Sequence, residues 1–166
     1  FGKEELDITD GDLVQRVVAE QRPDLIVHCA AYTQVDQAES EQEMAFAINE
    51  GGTENVAVAA SKLNIPMLFV STDYVFDGLG QRPFVESDAT APVNMYGLTK
   101  REGELAIERS ACKHLIFRTS WVYAARGGKP FFLTSRPCHW GWPSDLHQFC
   151  NPVSGGKRAL WRRMRG

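Results

Sequence analysis

The stretch IPMLFVSTDYVFDG, residues 65–78, decides the fold. IPMLFVST is an apolar run closed by two hydroxyls, and a run of that length fits a buried parallel strand. DYVFDG then turns the chain away. Upstream, residues 39–64 (ESEQEMAFAINEGGTENVAVAASKLN) have the spacing of a long helix. Met44, Ala45, Ile48, Val56, Ala59, Ala60 and Leu63 would form its buried side. Gly51 and Gly52 either weaken that helix locally or let another backbone come close. Further upstream, DLIVHCAA (24–31) is a second apolar run, interrupted only by His28. Before it, residues 7–24 begin with a turn and cap signal, continue with Leu13, Val14, Val17 and Val18 at helical spacing, and stop at Pro23. Downstream, residues 73–94 form a long loop carrying Gly78, Gly80, Pro83 and Pro92, and loops this long in compact domains are often functional. Residues 96–109 predict a helix, and HLIFRTSWVY (114–123) a third strand.

Strands alternating with helices imply βαβ units and a parallel sheet. Right-handed crossovers predict helices on both faces of that sheet. The fold class is α/β.

Bulk properties narrow the setting. At 166 residues, 43% apolar and 23% charged, the chain suits one soluble domain with a real core. No apolar run approaches the roughly 20 residues of a membrane span. FGKEELDITD lacks the apolar centre of a signal peptide, and four cysteines at scattered spacing do not form a disulfide framework. These features predict a reducing, cytoplasmic setting and no membrane partner. A first residue of Phe1 instead of an initiator methionine predicts that the chain begins inside a longer one.

The net charge of −3 conceals an asymmetry. Residues 1–132 hold 12 basic and 20 acidic side chains, whereas residues 133–166 hold 6 basic and 1 acidic. Helical and strand periodicity also stops after Phe132. The expected organisation is therefore a domain over 1–132 and an unrelated, irregular tail over 133–166.

In a doubly wound sheet, ligands sit beyond the carboxyl ends of the strands. The first strand ends in CAAYTQVD, where small Ala30 and Ala31 would let a flat cofactor lie against the backbone, or would merely relieve crowding. The second ends in Ser71 and Thr72, whose hydroxyls could steady a developing oxyanion or simply cap the turn. In APVNMYGLTKREGE (91–104), Tyr96 and Lys100 are four apart and share a helix face. An ammonium near a phenol favours the phenolate and lowers its pKa from about 10, so the phenol can donate a proton near neutral pH. Surface helices also carry this spacing by chance.

The combination is more specific than its parts. A hydroxyl at a strand end is followed 24 residues later by the Tyr/Lys pair, the layout of the extended short-chain dehydrogenases/reductases. Within that group, RPDLIVHCAAYTQVDQAESE, STDYVFDG, APVNMYGLTKREGE and HLIFRTSWVY, in order over residues 6–132, resemble the dTDP-4-dehydrorhamnose reductase family. The resemblance implies reduction of the C4 keto group of a dTDP-linked deoxyhexose by NADPH or NADH. Tyr96 is then the proton donor and Lys100 the residue that holds the nicotinamide ribose and tunes the tyrosine. Thr72 completes the catalytic trio. Asp7 and Ile8 lie near the adenine, and Cys29, Ala30, Ala31 and Tyr32 line the cofactor. Thr72, Asp73, Tyr74 and Trp121 lie beside the sugar. Full-length family members can dimerise through Mg²⁺, so a homodimer is implied for the full-length protein. No metal ligands are implied within this chain, and no nucleic-acid partner is expected.

Two departures qualify the resemblance. Family members begin with a strand and a Gly-rich turn that cradles pyrophosphate, and FGKEELD is too short to contain them. The expected fold is thus a partial Rossmann-like doubly wound sheet lacking the first βαβ unit, with DLIVHCAA as an exposed edge. The tail also departs from family sequence, as a reading-frame shift or foreign segment would. Its Cys138, His139, His147 and Cys150 suit zinc chemically, but their spacing matches no common finger. Its basic end, KRALWRRMRG, is a non-specific cationic tail. The 166-residue chain alone is expected to be inactive. Two alternatives stay open: another nucleotide-sugar epimerase or dehydratase, and a non-catalytic regulatory subunit resembling the one that binds methionine adenosyltransferase.

Overall fold

The computed structural model describes residues 1–79 and 82–120. Trp121 and the whole 133–166 tail, with its cysteines and histidines, lie outside the described residues. The element order is α1 Gly11–Gln21, β1 Ile26–His28, α2 Val35–Ala38, α3 Gln42–Phe46, a π-helical turn Ala47–Gly52, α4 Thr53–Lys62 and β2 Met67–Thr72. A 3₁₀ turn Asp73–Val75, α5 Met95–Arg109 and β3 His114–Thr119 follow. The three strands are parallel, in the order β1-β2-β3. β2 pairs with β3 along its whole length, from Met67 opposite His114 to Thr72 opposite Thr119.

Local chemistry explains the helix ends. The Asp10 carboxylate accepts from the Leu13 amide at 2.9 Å and caps α1. The helix stops at Arg22, in the left-handed region with φ 42°, immediately before Pro23. Asn94 caps α5 in the same way by accepting from the Gly97 amide at 2.7 Å. Val14 and Val18 of α1 pack with Val56 and Ala60 of α4, Met67 and Phe69 of β2, and Ile107 of α5. Each large apolar side chain buried there contributes about 1.5–3 kcal/mol relative to exposure.

Three expectations need correction. The helix expected over 39–64 starts at Gln42 and passes through the π turn before continuing to Lys62. Gly52 in that turn does permit a close approach, although the neighbour is the Ile8 side chain and not a backbone: a Cβ would lie 2.6 Å from Ile8 Cγ1. The strand expected over 24–31 is only three residues long, Ile26–His28, paired with Met67–Phe69. It forms an edge of the described sheet, as its sequence context predicts.

The third correction concerns burial. Among the described residues, the helices cover one face of the sheet. His28, Met67 and Phe69 point into them and are buried. On the opposite face Val27, Leu115 and Phe117 are 55%, 47% and 44% exposed. Successive crossovers that advance in one direction across a sheet place their helices on one side, so these two do not build a second layer. Among the described residues no helix is long and apolar enough to cross a membrane.

Candidate active site

The carboxyl end of β2 and the first turn of α5 meet at one place, and a glycine makes the meeting close. A Cβ on Gly97 would overlap the Tyr74 carbonyl oxygen and lie 2.9 Å from the carbonyl carbon. Without one, α5 starts directly against the 3₁₀ turn that follows Thr72. Thr72 ends β2 and is 5% exposed. Its hydroxyl oxygen accepts from the Tyr74 amide at 3.2 Å and the hydroxyl donates to Asp73 Oδ1 at 3.1 Å. Tyr96, in the first turn of α5, is half-buried, with its ring edge-on to Tyr74 at 5.7 Å.

Burial pushes the Tyr96 phenol above its ordinary pKa, and the Asp73 and Tyr74 side chains add to the rise. Thr72 sits close enough to favour the phenolate and offsets part of it. Lys100 lies one turn further along α5. Its side chain is 2% exposed, donates from Nζ to the Val70 carbonyl at 2.8 Å and lies 4.0 Å from the centre of the Phe69 ring. Burial pulls the ammonium pKa down to about 8, with Glu104 and Cys29 opposing. In this structure the Lys100 ammonium is engaged by the Val70 carbonyl and the Phe69 ring. Helical spacing places both residues on one face, but the carbonyl and the ring draw the ammonium inward, under β2.

His28 stacks on the same Phe69 ring at 5.4 Å and meets Thr53 Oγ1 at 3.0 Å. Burial and then the Lys100 charge hold its pKa down to about 4, so it is neutral at physiological pH. Beyond His28, Cys29 and Ala30 are exposed and Ala31 is half-exposed. Tyr32 differs. Its side chain is buried with Ala38 and Ala45, against Ile48 and Tyr96, and its hydroxyl donates to Glu41 at 2.7 Å. Asp7 is exposed and accepts from the Thr9 amide and hydroxyl at 2.9 and 2.7 Å, which lowers its pKa. Ile8 packs against the main core, and its carbonyl accepts from Asn55 at 2.9 Å. The structure thus brings Thr72, Asp73, Tyr74 and Tyr96 together, with Lys100 beneath them and Cys29–Ala31 at the neighbouring strand end. Asp7 and Ile8 stand apart, beside α4.

Asn49 was missed by sequence reasoning. It sits in the π turn, 1% exposed, and behaves as a peptide bond in miniature. Its amide oxygen accepts from the Tyr32 amide at 2.8 Å, and its nitrogen donates to the Tyr32 carbonyl at 3.2 Å and to Thr99 Oγ1 at 3.0 Å. One side chain therefore ties the β1 strand end to α5. Gly103 lets α5 come close enough, since a Cβ there would overlap the Asn49 carbonyl oxygen. The available signal was a polar residue within the apolar stripe, followed by two glycines.

Known proteins resemble this chain in sequence and fold. A dTDP-4-dehydrorhamnose reductase of Escherichia coli strain K12 is 50% identical over 121 residues, which cover 73% of this chain and 40% of the relative. A crystal structure of a dTDP-4-dehydrorhamnose reductase from Bacillus anthracis, in complex with NADP, superposes with a TM-score of 0.75 at 46% identity, over 76% of this chain and 45% of that one. Bordetella bronchiseptica WbmG, in complex with NAD and UDP, superposes at 0.63 with 29% identity, over 69% of this chain and 36% of its own. The chain thus spans less than half the length of these relatives. The family model for the RmlD substrate binding domain matches residues 1–135, and the chain belongs to that family.

Proposed function

We propose that this chain carries the proton-transfer half of a nucleotide-sugar reductase site, which reduces the 4-keto group of dTDP-4-dehydro-L-rhamnose to give dTDP-L-rhamnose. The observation that carries the reading is Tyr96 set against Thr72 at the carboxyl end of β2. In this arrangement the substrate's C4 oxygen takes a hydrogen bond from the Thr72 hydroxyl while Tyr96 gives it a proton. Burial supports that role, because a phenol pushed above its ordinary pKa arrives protonated. Tyr96 then recovers its proton from solvent. Asp73 and Tyr74, beside the same oxygen, are the proposed sugar contacts, with Trp121 assigned to the sugar by family resemblance alone.

The strand end fits a nicotinamide cofactor. Cys29 and Ala30 are exposed and small, and leave the crest of β1 open to a flat ring. A bound cofactor supplies the hydride. Lys100 lies beneath this place with a buried ammonium that can turn from Val70 toward a ribose hydroxyl. NADPH is the first candidate, since the Bacillus anthracis relative was crystallised with NADP. Asp7 and Ile8 remain proposed adenine neighbours. The family match ending at residue 135 supports a boundary near residue 132.

The test follows NAD(P)H absorbance in a full-length protein carrying this segment, with dTDP-4-dehydro-L-rhamnose as substrate. Substrate-dependent oxidation with dTDP-L-rhamnose as product is expected. Epimerised sugar without net cofactor oxidation, or no turnover at all, would overturn the reading.

A further inference from the structure

Glu104 is a carboxylate with no exposed surface, four residues after Lys100 on the same face of α5. Its four hydrogen-bond donors come from three elements. Oε1 accepts from Ser71 Oγ at 2.6 Å and from Arg118 Nε at 3.0 Å. Oε2 accepts from Arg118 Nη2 at 2.8 Å and from Arg101 Nη1 at 2.9 Å. Ser71 and Arg118 are register partners on β2 and β3, so the carboxylate grips the carboxyl ends of two strands at once. Ser71 precedes Thr72, and Tyr96 lies two helical turns before Glu104. Burial opposes ionisation of Glu104, but the donors from Arg118, Ser71 and Arg101 outweigh it and keep the carboxyl ionised. The mechanism proposed above uses none of these groups. A buried ion cluster is weak evidence for added stability, and a fixed register is its best-attested use.

We propose that Glu104 is a positioning residue: by clamping Ser71 and Arg118 to α5 it sets the separation of Thr72 from Tyr96. The inference rests on the reductase reading for its effect on rate, but not for its effect on Tyr96. Bidentate Arg–carboxylate geometry is directional and fixes angle as well as distance. The strand ends and the helix therefore move as one body. If the clamp is removed, α5 stays on the sheet through its apolar contacts, but the two oxygens are no longer held in register.

Glu104→Gln leaves two part-exposed arginines against a neutral amide and can unfold the protein. The decisive variant therefore replaces the part of the cluster that joins the strands to the helix, Glu104→Met with Arg118→Leu and Ser71→Ala, and leaves Arg101 with its second partner Glu108. Exchange of a buried ion cluster for apolar side chains of similar volume is often neutral or stabilising, so this variant is expected to fold. In a full-length protein carrying this segment, two readouts apply. Tyrosine ring-carbon NMR should show the Tyr96 titration moved to higher pH, because Thr72 no longer favours the phenolate. Asp73, Tyr74 and Tyr32, the other titratable groups facing Tyr96, are unchanged. Turnover should fall by about 10²-fold, as a misplacement of about 1 Å does, while KM for the sugar nucleotide changes little. Restoring the trio residue by residue should rescue both only when Glu104 and Arg118 are present together. A folded variant with an unmoved Tyr96 titration and wild-type kcat would overturn the proposal, as would failure of the apolar trio to fold at all, which would make the cluster structural. A wild-type protein that does not reduce the sugar would overturn the reductase reading alone, and the Tyr96 titration would still judge Glu104.

Discussion

Gly97→Ala tests the closest contact in the site. Helix propensity favours the substitution by up to about 1 kcal/mol. Space opposes it, because the new methyl would overlap the Tyr74 carbonyl oxygen and stand 2.9 Å from its carbon. Neither neighbour is a flexible side-chain end. The Tyr74 backbone belongs to the 3₁₀ turn whose first amide bond is held by Thr72, and α5 is held along its length by Ile107, Gly103 and Glu104. Overpacking of this kind costs about 1–3 kcal/mol, so after the propensity gain the net loss of stability should be roughly 0–2 kcal/mol. The chemical effect should be larger. Relief requires the first turn of α5 to retreat by about 1 Å, which carries Tyr96 away from Thr72, and such a misplacement costs about 10²-fold in rate. The assay is steady-state NAD(P)H oxidation by a full-length protein carrying this segment, beside urea unfolding of the same variant. A Gly97→Ala protein with wild-type turnover and stability would refute the reasoning, since α5 and the turn could then separate without consequence.

Lys100 gives a pH test. Its folded pKa of about 8 lies below the ordinary 10.5, so between those values the unfolded chain holds a proton that the folded chain has lost. Stability from this group must therefore rise with pH across that window, by up to about 3 kcal/mol. Lys100→Met should lack the rise, and urea midpoints at pH 7.5 and 10 that move in parallel for variant and wild type would contradict the burial assigned to Lys100. Asn49→Ala should destabilise the fold by about 1–3 kcal/mol for each backbone group of Tyr32 left buried and unpaired. An unchanged unfolding midpoint would show that Asn49 does not tie β1 to α5.

Much of the fold was legible because its signals are local. The apolar runs at 65–72 and 114–123, the turn and cap signal that opens residues 7–24 and the Tyr96–Lys100 spacing each depend on residues close in sequence. Burial on one sheet face was not legible, because Val27 and Phe117 have the same apolar character whether or not a helix covers them. Strand composition reports the requirement for a cover, and topology decides where the cover goes. The π turn was not readable for a related reason: Asn49 within it packs against Gly103 of α5, far along the chain. In the site, helical spacing correctly placed Tyr96 and Lys100 on one face. It could not say that the lysine would turn toward the Val70 carbonyl and the Phe69 ring, since side-chain direction is set by the tertiary neighbours. Glu104 had a readable sign, a carboxylate in the Tyr96/Lys100 stripe of α5, yet its partners Ser71 and Arg118 come from two other elements.

The central claim is that Tyr96 delivers the proton, and Tyr96→Phe tests it most directly. The change removes one oxygen and leaves the ring that packs on Tyr74. In a full-length protein carrying this segment, kcat should fall by about 10²- to 10⁴-fold, the usual loss for one acid/base group, while cofactor affinity stays close to wild type. Near-normal turnover by the Phe variant, with its fold intact, would contradict the account.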